Sequence, residues 1–493
     1  MVGVLQSRLP KECAHPLNNN NLSRLYLKVT NMIRRLEQEI ADFCLKSSLE
    51  DVPTFIVERS KLHVLDTLGL ALAGARSKTA HIACEHVVDQ GMGNQGSVIF
   101  GTQLRAPSRF SAFVNAVSAH AYNFDDTTPQ ISVNKNGGIH ASGSILPTVL
   151  AVGEENQSAG SSALCAYLVG VEVSSRLNHA IAELHYARGF HPTGTLNTFG
   201  VTCAAAKLRG VNVNEMIAAL SVAASRPSGI RRNFGTTAEV FHSGWAAENG
   251  VLAADFACRG IHGAADALQG PGGFFDAFGG GFDPDEIIGK LGEPWVFDTP
   301  GVWIKPYPNG ALTHPGADCL RRLLKEHQLD LSDISDIYVR TNAKVWHVLQ
   351  HHLPKTGMQA KFSMEYILSI ILLGWPVGLG AFSDEMLTNP DLQYAMSKIH
   401  YTPYTETKPD YTNVTTLINV KLNNGCEISS RSDYASGSSK APMTLDQVVA
   451  KFRECAIFGG HREEKTETII ESVFDLENFS DVSDIGFAMI GQN

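Results

Sequence analysis

The sequence predicts a mainly α-helical protein, with a large all-helical domain formed by both ends of the chain and a smaller α+β domain between them. Three observations predict it. Ala-rich apolar stretches broken by Gly, Pro and Asn dominate residues 110–270; period-two alternation is confined to residues 300–436; helical periodicity returns after that. The chain divides accordingly into an extension over 1–35, a helical domain over 36–300, an α+β domain over 301–436 and C-terminal helices over 437–493 that rejoin the first domain.

The extension carries the breaker Asn18-Asn19-Asn20-Asn21 and a basic excess from Arg8, Lys11, Arg24, Lys28, Arg34 and Arg35 against Glu12. It reads as a solvated leader, with a weak organelle-targeting signal as the alternative. From Leu36 the pattern turns helical, with Leu36, Ile40, Phe43 and Cys44 at helical spacing and Val57, Lys61 and Leu65 following Pro53. Phe113–Ala121, Ala163–Glu172, Phe199–Leu208 and Met216–Ala224 continue it, and their small residues let helices approach closely. Gly270–Gly281, with Phe274, Phe275 and Phe278, is an aromatic, Gly-rich linker without the order of a nucleotide-binding loop. Ile337–Val339 is β-like. Val414, Thr416, Ile418, Val420 and Leu422 alternate on one strand face, Asn423-Asn424-Gly425 turns the chain, and Cys426–Ile428 starts the return strand. Met364–Leu373 is a buried helix between the strands. Leu445–Phe458 and Lys465–Leu476 are the returning helices.

At 493 residues the chain is too long for one ordinary core. With 44% hydrophobic and 18% charged residues it is a well-buried globular protein rather than a disordered one. A net charge of −10 without blocks of like charge offers no surface for nucleic acid or an anionic membrane. No apolar run is long enough to span a bilayer. The nine cysteines are scattered singly, which argues for free thiols in a reducing, cytoplasmic setting and against a zinc or iron–sulfur site. The basic leader leaves a mitochondrial destination open.

Four histidines sit beside small or turn-forming residues: His140 after Gly137-Gly138, His191 before Pro192, His242 before Ser243-Gly244, and His314 before Pro315. An accessible, fixed imidazole suits proton transfer near neutral pH, while a hydrogen-bonded structural histidine is the default reading of each taken alone. Asn123-Phe124-Asp125-Asp126-Thr127-Thr128 reads by default as a helix cap; cation binding or proton transfer are the other uses of such a string. Lys305, boxed in by Trp303, Pro306, Tyr307 and Pro308, is either a fixed counter-ion for a carboxylate or a snorkelling lysine.

Taken in order, these segments resemble the MmgE/PrpD family, from about Leu36 to residue 475. The resemblance is carried by Leu65-Asp66-Thr67-Leu68-Gly69, Asn123–Thr127, His140-Ala141-Ser142 with Leu146-Pro147, and Phe190-His191-Pro192-Thr193-Gly194-Thr195. It continues through Ala246-Ala247-Glu248-Asn249-Gly250, Gly270–Phe278, Lys305-Pro306-Tyr307-Pro308 and Ala360-Lys361-Phe362-Ser363. It implies a homodimer with an α+β lid over the helical domain, and a cofactor-free lyase site, without metal, between the two. It also implies a small polycarboxylate substrate, with decarboxylation of an aconitate-like, possibly alkylated, acid as the first expectation. A 2-methylcitrate-type dehydratase or a non-catalytic relative are the alternatives. By resemblance His140, His191 and Lys305 fall on catalytic positions, with Asn123, Thr127, Tyr186, Glu239 and His242 lining the substrate site.

Four positions depart from the family pattern. Asn123 stands where an acidic residue is usual, Glu239 where lysine is, Ala141 where proline is common, and Gly310 where the decarboxylase branch has histidine. An ionised Glu239 would repel a substrate carboxylate by on the order of 1–4 kcal/mol at a partly exposed site.

Overall fold

The computed structural model describes residues 35–128, 137–406 and 408–491. The leader lies outside them except for Arg35, which opens the first helix. The helical part comprises α1 (Arg35–Lys46), α2 (Thr54–Gly74), α3 (Lys78–Asp89), α4 (Ser108–His120), α5 (Ser142–Asn156), α6 (Gly160–Ala180), α7 (Pro192–Leu208), α8 (Val213–Ala224) and α9 (Thr237–Cys258). After a crossing segment the chain forms α10 (His314–His327), strand β1 (Ile334–Thr341), α11 (Met364–Leu372), β2 (Ile399–Pro403), β3 (Thr416–Leu422) and β4 (Glu427–Ser432). It then returns through α12 (Leu445–Phe458) and α13 (Glu463–Phe474). The protein is mainly α-helical with a smaller α+β part.

Two buried hydrophobic clusters keep these parts distinct. One runs from Leu36 to Ile304 and closes with Val448, Phe452, Ile469, Val473 and Met489 from the returning helices. The other is built within residues 307–420, where α10 and α11 cover a sheet of order β2-β1-β3-β4. Strand β2 runs parallel to β1, while β3 and β4 pair antiparallel. The alternation read at Val414 starts as a strand only at Thr416, and the return strand begins at Glu427 rather than Cys426. The Gly270–Gly281 segment is more ordered than a linker, since Phe275–Gly279 makes one wide helical turn. Among the described residues no helix is long and apolar enough to cross a membrane.

The small residues act as expected of close helix packing. A Cβ on Gly200 in α7 would stand 2.0 Å from Ser174 Oγ and 2.3 Å from the Gly170 carbonyl, both on α6. A Cβ on Gly250 in α9 would stand 2.4 Å from Val201 of α7. On α2, a Cβ on Gly69 would stand 2.9 Å from the Phe452 ring of α12, which accounts for glycine in that motif. Gly200→Ala should therefore destabilise the protein by about 1–3 kcal/mol from overpacking, outweighing alanine's helix-propensity gain of about 1 kcal/mol. Urea unfolding checks this; an equal or higher midpoint would refute the backbone contact.

Candidate active site

The site is organised by the turn that ends α4. Asn123 adopts a left-handed conformation (φ 57°), one that asparagine tolerates better than most residues. This turn points successive carbonyls at three lysines from distant segments. Lys361, from the α+β part, donates to Tyr122 O at 2.5 Å. Lys305, from the crossing segment, donates to Asn123 O at 2.8 Å and to its Oδ1 at 3.3 Å. Lys451, from α12, donates to Phe124 O at 3.0 Å and to Lys305 O at 2.9 Å. All three are buried. Lys451 also pairs with Asp66 of α2 at 2.6 Å.

The carboxylates that follow the turn are not a helix cap. Asp125 accepts from His120 Nδ1 at 2.7 Å, and Glu239 of α9 faces His120 Nε2 at 3.1 Å. Asp126 binds His63 Nδ1 at 2.8 Å and the Ser142 hydroxyl. Burial alone would lower His120, but Asp125, then Glu239, overrides it and pushes the imidazole up to about 10. Burial raises Asp125 and Glu239, yet His120 holds both below the ordinary carboxylate range. His120 is thus an imidazolium clamped between two carboxylates. The negative charge expected to repel substrate at Glu239 is offset in part by this cation, which Glu239 shares with Asp125.

The expected imidazoles gather around His120. The His140 ring lies 5.3 Å and the His191 ring 6.4 Å from it, centre to centre. His140 precedes α5. Its Nδ1 donates to Asp126 O at 2.7 Å, leaving the lone pair on Nε2. Its main-chain N–H donates to Thr193 Oγ1 at 3.2 Å, tying this turn to the start of α7. His191 caps α7 just before Pro192, and its Nδ1 meets His242 Nδ1 at 2.9 Å, one donating to the other. His242 lies within α9, not in a loop as its Ser-Gly neighbours imply. His314 opens α10 and binds Asn309 at 2.7 Å.

Burial and then the Lys305 charge pull His140 down to about 4. Burial lowers His242 to about 4, and burial with the neighbouring imidazoles takes His191 well below its usual value. Burial likewise lowers Lys305 to about 8, and burial with the Lys305 charge lowers Lys361 to about 7. The cluster therefore combines neutral imidazoles with two weakened ammonium groups.

Of the other expected site residues, Thr127 exchanges backbone hydrogen bonds with Trp303, two residues before Lys305, at 2.9 and 2.8 Å. Its Oγ1 lies 2.6 Å from where a Gly138 Cβ would stand. Tyr186 packs farther out, against Gly137 and beneath the Arg231 guanidinium. Gly310 leaves little room for a side chain, since its Cβ would meet Phe362 at 3.2 Å. His120, Lys361, Lys451 and Asp66 were not among the expected site residues. His120 stands out only as a titratable group in an otherwise apolar stretch, and Lys361 and Asp66 only as members of motifs. Among the described residues no group of three or more His, Cys, Asp or Glu side chains is arranged to hold a metal ion.

The MmgE/PrpD N-terminal domain profile matches residues 38–287 and the MmgE/PrpD C-terminal domain profile residues 307–476. The chain belongs to the MmgE/PrpD family, and it is an enzyme of the lyase class. It is 28% identical to human cis-aconitate decarboxylase over 437 residues, covering 86% of this chain and 89% of that one. It is 27% identical to the mouse cis-aconitate decarboxylase, covering 86% and 88%. To the cis-aconitate decarboxylase of Aspergillus terreus it is 24% identical over 471 residues, covering 90% and 94%.

The His120 clamp generates a stability prediction. A pKa raised from its unfolded value of about 6.5 to about 10 contributes stability fully present below pH 6.5 and lost as pH rises through 10. His120→Gln leaves two buried carboxylates without their cation, costing about 3–5 kcal/mol near neutral pH. The difference between wild type and variant should shrink as pH rises toward 10, followed by denaturant unfolding at each pH. A difference independent of pH would contradict the charged clamp.

Proposed function

We propose that the chain decarboxylates an aconitate-like tricarboxylate, with an alkylated acid within its range, using only its own side chains and working as a homodimer. The observation that carries this reading is the convergence of Lys305 and Lys361 with the His140 and His191 imidazoles around one buried turn. The names of the relatives above point the same way.

In this reading Lys305 and Lys361 exchange a carbonyl for a substrate carboxylate, the better partner for an ammonium group. The substrate's negative charge raises the neighbouring imidazoles, so His140 or His191 takes up a proton on binding. The C–C bond to the departing carboxylate breaks, its electron pair stays on the substrate carbon, and the ammonium groups stabilise that charge. The imidazolium then protonates the carbon and CO2 leaves. His120, occupied on both sides, positions Asp125 and Glu239 rather than touching substrate. The same groups also serve loss of water from an alkylcitrate, which a conjugated-alkene absorbance without CO2 would identify.

Purified protein should release CO2 from cis-aconitate or an alkyl homologue, and folded His191→Ala and Lys305→Ala variants should not. Intact substrate after prolonged incubation would refute the proposal. kcat/KM reports the free enzyme, so it should fall as pH rises through about 7 and then about 8, where Lys361 and Lys305 in turn lose their protons. A profile flat to pH 10 would remove Lys305 as the carboxylate anchor. Calorimetry of citrate binding at pH 7 in buffers of differing ionisation enthalpy should register net proton uptake; proton release would contradict the imidazole assignment. Sedimentation should find a dimer, and a monomer at micromolar concentration would remove that part of the reading.

A further inference from the structure

A concavity lies beside the imidazole cluster, at the junction of the helical and α+β parts. Its volume is about 280 Å³; Gly189, Arg231, Arg232 and Phe234 line it from one side, His347 and Gln350 from the other. None of its lining residues is acidic. Arg231 is held in place: its main-chain N–H donates to Gly189 O at 2.8 Å, its Nη1 to Tyr186 O at 2.7 Å, and its guanidinium lies 3.7 Å over the Tyr186 ring. Its Nε is buried without a hydrogen-bond partner. Arg232 is exposed. Phe234 forms the partition, with its ring edge-on to His191 at 4.8 Å and nearly parallel to Phe362 at 6.3 Å. Phe362 directly follows Lys361 in the chain.

A chain of net charge −10 opposes the approach of a polyanion, so a local cluster of cations at the mouth has a purpose that buried lysines cannot serve. Guanidinium forks match carboxylates in geometry, and the Gln350 amide adds a neutral donor. We propose that this cavity is a second anion site, which holds a small di- or tricarboxylate at the domain junction, one phenyl ring away from the Lys305 centre. As a station on the way to that centre it rests on the function proposed above; as a binding site it does not.

Citrate titrated calorimetrically into the full chain at low ionic strength tests it. Lys305→Ala should lose the inner site and keep a weaker one; Lys305→Gln, which retains a donor toward the Asn123 carbonyl, replaces it if the alanine variant does not fold. Adding Arg232→Ser should weaken the remaining binding about tenfold or more, Arg232→Lys should weaken it less, and about 0.5 M NaCl should suppress it. Loss of all citrate binding with the Lys305 change alone would overturn the proposal. So would residual binding that Arg232→Ser leaves unchanged. A chain that turns over no polycarboxylic acid would still give a readable titration, so failure of the catalytic reading and failure of this site are separate results.

Discussion

Three ammonium groups on three consecutive backbone carbonyls hold this molecule together at its candidate site. Lys361, Lys305 and Lys451 come from the α+β part, the crossing segment and the C-terminal helices, and they meet on Tyr122, Asn123 and Phe124. Each hydrogen bond from a charged donor contributes about 1.5–3 kcal/mol, but the larger effect is geometric. One turn, bent at the left-handed Asn123, presents the three acceptors of Tyr122, Asn123 and Phe124, and so places the α+β part, the crossover and the returning helix around α4. Burying cations this densely is tolerable only because Asp66, Asp125 and Glu239 supply opposing charge nearby.

That balance also prepares the site for an anion. The carboxylates are committed to Lys451 and His120, so Lys305 and Lys361 are satisfied mainly by neutral carbonyls. Burial lowers both ammonium groups, against the opposing pull of Asp125 and Glu239. Burial likewise keeps His140, His191 and His242 neutral. In the proposed function, a polycarboxylate entering such a cluster would relieve it, and its negative charge would raise the imidazoles toward protonation. Glu239, which by resemblance alone reads as a defect in a carboxylate site, is part of this balance through His120.

The fold class was legible because its signals are local: Ala-rich helical periodicity, an alternating strand before an Asn-Asn-Gly turn, and a helix at Leu445–Phe458 whose ends coincide with the observed ones. His140, His191 and Lys305, which the structure brings to one cluster, could be singled out because glycine and proline beside a polar residue mark fixed backbone. The clamp could not be read this way. His120 lies in a stretch whose composition says only core, and Glu239 is 119 residues away. Asp125 and Asp126 looked like a cap, although Asp125 turns back to His120 five residues earlier and Asp126 reaches His63 of α2, and His242 looked like a loop residue because Ser-Gly follows it. Lys451 sits in an amphipathic helix where a lysine ordinarily faces water. Long-range pairing of buried charge leaves no periodic trace.

The landing place of a substrate carboxylate tests the lysine cluster most directly. A crystal structure of the full chain with citrate bound should place one carboxylate within hydrogen-bond distance of Lys305 Nζ, with a second reached by Lys361 or His191. Citrate held elsewhere, with Lys305 and Lys361 still on the Asn123 and Tyr122 carbonyls, would reduce the lysine cluster to a structural clasp and contradict the site.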